Sequence, residues 1–272
     1  MADKMMLCGS IKSLDEIYIE NYIAEQKFDG ERILLIKKGN NVNMVNRRGI
    51  LKEDVYVELK EEMQTLNFDF IIDGEVCSVN GLFNDLQRRA LLRDPNEISR
   101  RRKSIPIVFH IFDLIELDGE NKTAISLMER KKLLNEKFGK LNLQTAELTP
   151  YVDGKINIEA LWSKIKQEQK EGIVLKVKSS GYVFKRSNNW LKYKNFKEIE
   201  IEMTSYTLNP AGVKLTDGFN EVQVQGQDRA SWIIKKIDAG EKVKVVVQYL
   251  EKIVPSGKLR FPSCKEVIGY NE

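Results

Sequence analysis

Apolar and polar positions along this chain repeat with two different periods, and the switches between them mark out its elements. From Tyr22 to Phe28 the two kinds of residue alternate roughly every second position, as in a strand with one buried face. Asp29-Gly30 then reads as a turn and Ile33-Leu34-Leu35-Ile36 resumes an apolar run, so Lys27 falls just before a tight bend. Val42 to Asn46 can pair back onto Ile33 to Lys37 across a Gly39-Asn40 turn. The period changes at Val55, Leu59, Met63 and Leu66, which recur at helical spacing, and a strand-like stretch follows from Phe68 to Cys77. Asp94-Pro95-Asn96-Glu97 supplies a capping residue, a first-turn proline and an acid three places on, and Ser126-Leu127-Met128-Glu129 repeats this logic ahead of a helix to about Phe138. Between them, the long apolar stretch Ile105 to Leu117 predicts a central strand. Asn157 to Gln169 predicts another helix and Ile173 to Val177 a buried strand.

Beyond about Lys197 helical periodicity nearly vanishes. Ile199 to Met203, Glu221 to Val224, Lys242 to Leu250 and Val267 to Tyr270 read as strands, separated by Asn209-Pro210, Asp217-Gly218 and Pro255-Ser256-Gly257, with one short helix within residues 226–238. A small barrel fits this texture, and the oligonucleotide-binding (OB) barrel is the natural candidate. The expected fold is therefore α+β: antiparallel sheets flanked by helices over residues 1–196, then a barrel over 197–272.

Composition narrows the chemistry. With 31% charged and 42% hydrophobic residues, the 272-residue chain reads as globular. No apolar run approaches the roughly 20 residues of a membrane span, and Met1 to Ser10 lacks the apolar core of a signal peptide. A cytoplasmic protein with no membrane partner is expected. Cys8, Cys77 and Cys264 are scattered and form no C-x-x-C pair, which argues against a disulfide framework or a structural zinc site. His110 is the only histidine, which excludes a histidine-based triad or a multi-histidine metal site; a metal must be held by oxygen ligands and phosphates. The net charge of +4 is small, but the excess lies before Lys197. Its densest cluster, Arg88, Arg89, Arg93, Arg100, Arg101, Arg102 and Lys103, has the character of a phosphate-backbone contact.

The hexapeptide Lys27-Phe28-Asp29-Gly30-Glu31-Arg32 sets one lysine among a carboxylate, a glycine and an arginine, an arrangement suited to a lysine that attacks phosphorus. Other stretches supply what such a lysine needs. Glu75, in Ile71-Ile72-Asp73-Gly74-Glu75-Val76, can hold a ribose hydroxyl or a magnesium water, and Glu171, in Glu171-Gly172-Ile173-Val174-Leu175-Lys176, offers a second carboxylate. Lys192 and Lys194 stand at i and i+2, on one face of a strand, where both can meet one phosphate and help depress the pKa of Lys27. Phe109-His110-Ile111-Phe112-Asp113 provides an aromatic plane for a purine, and Arg47-Arg48-Gly49 a phosphate grip. Each stretch alone fits an ordinary surface or core role; their joint order and spacing does not.

In these residues the chain resembles the ATP-dependent DNA ligases of the nucleotidyltransferase superfamily, from about Tyr22 to Lys194, with the barrel-like tail extending the likeness. The resemblance implies an ATP-grasp-like adenylation domain and an OB-fold; the compactness of the chain leads to the expectation of a monomer without a separate DNA-binding domain. It implies Lys27 as the adenylated residue, with Glu25 at the adenine edge and Gln26 beside it among the nucleotide-binding residues. It further implies Arg32 on the ribose and nick side, Arg47 on the phosphates, Phe112 stacked on adenine, and Glu75 and Glu171 at ribose and divalent metal. Arg186, Lys192 and Lys194 match the phosphate-contacting segment. ATP and magnesium, replaceable by manganese, are the implied cofactors and nicked duplex DNA the implied partner. RNA ligases and capping guanylyltransferases share the lysine motif, and a non-catalytic nucleic-acid-binding protein is the rival from another class. One feature of the family is missing. The stretch Leu259-Arg260-Phe261-Pro262 resembles the lead-in to an R-x-D-K segment, which orients the triphosphate leaving group, yet Ser263 to Glu272 contains no such tetrapeptide.

Overall fold

The computed structural model describes residues 5–253 and 256–270. Pro255 of the Pro255-Ser256-Gly257 turn lies outside the described residues, as do Asn271 and Glu272 at the end of the stretch that lacks R-x-D-K. Residues cluster into two compact units, Met1–Tyr193 and Lys194–Glu272.

In the first unit, in chain order, come β1 (Leu7–Ser10), β2 (Tyr22–Gln26), β3 (Glu31–Lys38), β4 (Asn41–Asn46), α1 (Val57–Gln64), β5 (Phe70–Ser78), α2 (Phe83–Ala90) and α3 (Pro95–Ser104). They are followed by β6 (Ile107–Leu117), β7 (Glu120–Asn121), α4 (Leu127–Phe138), β8 (Ala146–Leu148), β9 (Tyr151–Asp153), α5 (Lys155–Gln167), β10 (Gly172–Val177) and β11 (Arg186–Lys194). One sheet runs β4-β3-β5-β6-β7, with β8 joined to β6; the other runs β1-β11-β10-β2-β9. The β3–β4 hairpin forms in the register that the pattern predicts, Ile33 opposite Asn46 and Lys37 opposite Val42. Both caps also form: Asp94 accepts from the Asn96 N–H, and Ser126 and Glu129 cap each other reciprocally.

The apolar run of β3 is continuous because both of its faces are covered. Ile33 and Leu35 enter the core beneath α1, α2 and α4, while Leu34 and Ile36 point the other way, toward Met6, Tyr182 and Trp190. A further cluster seats Ile158 and Ile165 of α5 against Ala24, Ile173 and Leu175. Strands β2, β5, β6, β10 and β11, whose residues carry the candidate chemistry, thus rest on buried side chains rather than on loops.

The second unit holds β12 (Lys197–Met203), β13 (Ser205–Asn209), β14 (Gly212–Thr216), β15 (Glu221–Val224), α6 (Gln227–Asp238), β16 (Val243–Tyr249) and β17 (Ser263–Val267). Its sheets run β12-β16-β17 and β13-β14-β15 and share one core with Ala230 and Ile233 of α6. The last strand differs from expectation: it ends where Val267 to Tyr270 was to begin, because Gly269 takes a φ of +83° and turns the chain. Pattern reading also passes over α2, β13 and β14; Asn209-Pro210 is the bend that joins the latter two. No helix among the described residues is long and apolar enough to cross a membrane.

Candidate active site

Lys27 is the first residue after β2, and its N–H donates to the Gly172 carbonyl at 2.9 Å, tying the bend to β10. Gly30 closes that bend against β5. A Cβ at this position would stand 2.0 Å from the Val76 carbonyl oxygen, so no side chain fits there. Fixed in this way, Lys27 extends its ammonium to Glu171, 2.7 Å away, and the lysine side chain is 25% exposed.

The charge state differs from the expectation that flanking lysines depress the pKa of Lys27. Burial works in that direction, but Glu171, Glu75 and Asp29 outweigh it and hold the ammonium above its ordinary range. Glu75 is the counterpart. Burial, aided by Glu171 and Asp73 and opposed by Lys27 and Arg32, pushes its carboxyl up to about 7. Lys27 is therefore stored protonated between carboxylates, one of which hovers near neutrality.

Arg32 is held rather than presented. Its Nε and Nη2 donate to the two oxygens of Asp73 at 2.9 and 2.6 Å, and Nη1 donates to the Met6 carbonyl at 2.7 Å. Burial opposes the charge, yet the Asp73 carboxylate keeps the guanidinium firmly protonated. Asp73 also accepts from the Tyr182 hydroxyl at 2.7 Å. Neither Asp73 nor Tyr182 was singled out from the sequence. Asp73 sits inside a quoted segment and could have been found as an acid in a buried strand; Tyr182 carries no local signal.

Around Glu25 the structure adds two further residues. Its buried carboxylate contacts Lys131 of α4 and lies 2.7 Å from Lys176 of β10. The Lys176 ammonium stands 4.5 Å from the Phe112 ring centre and 4.1 Å from that of Trp190. Phe112 meets Trp190 edge-on at 5.9 Å. The face expected to receive adenine thus carries a lysine already neutralised by Glu25. Burial lowers the pKa of Lys176, against the pull of Glu25. A lysine inside the apolar run Ile173 to Val177 was the available sequence signal, since such a charge must be paired when buried.

The electrostatics of Cys8 show how the cations converge. Burial raises its thiol pKa, while Arg32, Lys176, Lys27 and Lys192 all pull it down, so residues from four strands or their ends surround one point. Gln26 ends β2 opposite Ile173. Arg186, exposed on β11, donates to the Cys8 carbonyl. Arg47 is exposed on the turn after β4. Lys194 opens the second unit with its ammonium over the rings of Phe196 and Phe261, at 5.8 and 5.1 Å. Among the described residues no group of three or more His, Cys, Asp or Glu gathers to hold a metal ion.

The basic cluster is not of one kind. Arg89 is fully buried and donates to the carbonyls of Ile105 and Val55 at 2.9 and 3.0 Å and to Glu58 at 2.5 Å, so it cannot be the DNA contact the sequence suggested. It falls on the inner face of α2, beside Leu86 and Ala90. Arg88, Arg93, Arg100 and Lys103 are exposed, Arg101 is half-buried, and Arg102 is half-buried and paired with Glu61 at 2.7 Å.

With this geometry in view, comparison with known proteins defines the class. Residues 5–194 match the ATP dependent DNA ligase domain, and the chain belongs to that family. The SPbeta prophage-derived DNA ligase-like protein LigB of Bacillus subtilis is 32% identical over 204 residues, covering 74% of this chain and 71% of that protein. The bifunctional non-homologous end joining protein LigD of Bacillus subtilis is 32% identical over 203 residues, 68% of this chain but 33% of its own length, so the chain spans a third of that relative. Among solved structures, a Lig E DNA ligase superposes with a TM-score of 0.70 over 98% of this chain and 100% of that one, at 18% identity, a likeness of fold.

Proposed function

We propose that the chain is an ATP-dependent DNA ligase that seals 5′-phosphate/3′-hydroxyl nicks in duplex DNA through a lysyl-AMP intermediate. The observation that carries this reading is the Lys27 ammonium at 2.7 Å from Glu171, with the near-neutral Glu75 carboxyl beside it. Lys27 attacks the α-phosphorus of ATP and expels pyrophosphate, forming a phosphoramidate. The AMP passes to the 5′-phosphate at the nick, and the 3′-hydroxyl then attacks that phosphate and releases AMP. Residues 1–196 are the adenylation domain in this reading and 197–272 an OB-fold, which the two compact units, Met1–Tyr193 and Lys194–Glu272, support.

Lys27 must lose its proton before it attacks, and Glu75 and Glu171 oppose this while they carry charge. The two carboxylates fit a hard divalent cation such as magnesium or manganese, because both supply oxygen ligands and burial has raised the Glu75 carboxyl, which a cation would relieve. Held there, the cation would neutralise both acids and the phosphate oxygens. Lys192 and Arg186, with Lys194, are the phosphate contacts in this reading, and Arg47 joins them from its turn. Glu25, Gln26 and Phe112 take the adenine, and Arg32, held by Asp73, faces the ribose. Exposed Arg88, Arg93, Arg100 and Lys103 contribute to the grip on DNA. Catalysis rests on positioning and charge neutralisation.

Incubating the protein with labelled ATP, magnesium and a nicked duplex, with GTP and nicked RNA in parallel, tests nucleotide and substrate together. Label on the wild-type chain, none on Lys27→Ala, and a sealed DNA strand are expected. An adduct that survives Lys27→Ala overturns the assignment. A preference for GTP or nicked RNA points to a capping enzyme or an RNA ligase, and DNA binding without any adduct to a non-catalytic binder.

A further inference from the structure

The ring of Phe28, the residue directly after Lys27, lies flat on the imidazole of His110: ring centres 3.6 Å apart, planes 6° from parallel. His110 is the only histidine of the chain and is 7% exposed, so it is a built contact and not a chance surface encounter. It belongs to β6, which pairs it with Glu75 on β5 and with Glu147 on β8, and Glu147 Oε1 stands 2.9 Å from its Nδ1. The imidazole is thus fixed by the sheet at its backbone and by a carboxylate at its rim, and one face is given to Phe28.

We infer that His110 is a positioning residue for Lys27, acting through the Phe28 ring; this rests on the reading of Lys27 as the nucleophile. Three contacts bear on where the bend sits. The Lys27 N–H is bonded to Gly172, Gly30 is pressed against the Val76 carbonyl, and Phe28 is stacked on β6. The first two fix the ends of the bend. The stack lies between them and limits how far the bend rolls about its own axis, and therefore where the lysine side chain begins its path toward the phosphorus. Because the two rings lie in parallel contact, tilting Phe28 away from His110 gives up dispersion contacts over the whole ring face. Because one face of His110 is covered by Phe28, the imidazole contributes alignment and not nucleotide binding. Displacements of about 1 Å in a reacting group cost up to about a hundredfold in rate. A loosened bend should cost part of that.

The measurement is the single-turnover rate of AMP attachment to Lys27 as a function of ATP concentration. His110→Ala is expected to lower the saturating rate about tenfold, a part of that range, with the half-saturating ATP concentration unchanged. His110→Phe, which restores a flat ring, should recover the rate to within about twofold. Phe28→Leu should reproduce the loss, and Phe28→Leu with His110→Ala should be no slower than either alone, since both remove one contact. If His110→Ala does not fold by circular dichroism, Phe28→Leu carries the same test. An unchanged saturating rate, a loss confined to ATP affinity, or failure of His110→Phe to rescue each overturns the inference. A wild-type chain that takes up no label overturns the Lys27 reading instead, so the two failures are distinguishable.

Discussion

Two ion pairs of the first unit are made from the same kinds of charge and are built in opposite ways. Arg130 and Asp113 meet with both side chains fully buried, Nε and Nη2 on the two carboxylate oxygens at 2.7 and 3.0 Å. The remaining Arg130 nitrogen, Nη1, donates to the carbonyls of Ile125 and Ser180 at 2.7 and 3.0 Å. Four hydrogen bonds use all three guanidinium nitrogens, and the pair joins α4 to β6. Lys27 and Glu171 meet at one oxygen, with Lys27 a quarter exposed and a second carboxylate near neutrality beside them. Closure makes the first pair structural; surplus acid and partial access leave the second able to exchange partners. Burial separates the two, with both side chains of the first pair fully enclosed and Lys27 a quarter exposed, and the two-point grip of Arg130 on Asp113 adds to the difference.

The sharpest way to break this contrast is to open the closed pair. Arg130→Met should strand Asp113 and cost about 3–5 kcal/mol in urea unfolding, whereas Lys27→Ala, which removes the proposed nucleophile, should leave the unfolding midpoint almost unmoved. Equal effects on stability would erase the distinction. Arg89 and Arg88 repeat the test on one helix. Arg89→Ala should destabilise by about 3 kcal/mol because Glu58 and two carbonyls lose their donor. Arg88→Ala should stay within about 0.5 kcal/mol and act only on the salt dependence of DNA binding.

A smaller effect follows from Glu75, whose folded carboxyl titrates near 7 against an ordinary value of 4.5. Below pH 4.5 it is protonated in the folded and unfolded chains alike. Between pH 4.5 and about 7 the unfolded chain gives up the proton while the folded chain keeps it, so stability falls as pH rises, by on the order of 2 kcal/mol. Above 7 the penalty remains. Glu75→Gln should remove this slope, and urea titrations at pH 5 and pH 8 would show it; a wild-type chain equally stable at both would mean that Glu75 is not strained.

What was legible locally and what was not divides along physical lines. Caps, the β3–β4 hairpin and the bend that carries Lys27 depend on residues within a few positions of one another, and the pattern located them. The site residues that pattern reading noticed, from Glu25 to Lys192, are those carried by recognisable short segments. Asp73, Tyr182, Lys131 and Lys176 escaped because their roles exist only where distant strands meet: Tyr182 reaches Asp73 across 109 positions. Arg89 was misread for the same reason. In a run of basic residues nothing local says which one α2 turns inward. Likewise, Lys192 was expected to lower the pKa of Lys27, and only the fold reveals that carboxylates lie nearer.

The order of residues alone determined the family, the bend that carries Lys27 and the set of candidate reacting groups, since these are short-range properties of the chain. Tertiary structure decided the charge on Lys27, the state of Glu75, the burial of Arg89 and the stack of Phe28 on His110. Each depends on which charges and rings are brought within a few ångströms by strand pairing, and Coulomb energy and desolvation respond to distance in space and not to distance along the sequence.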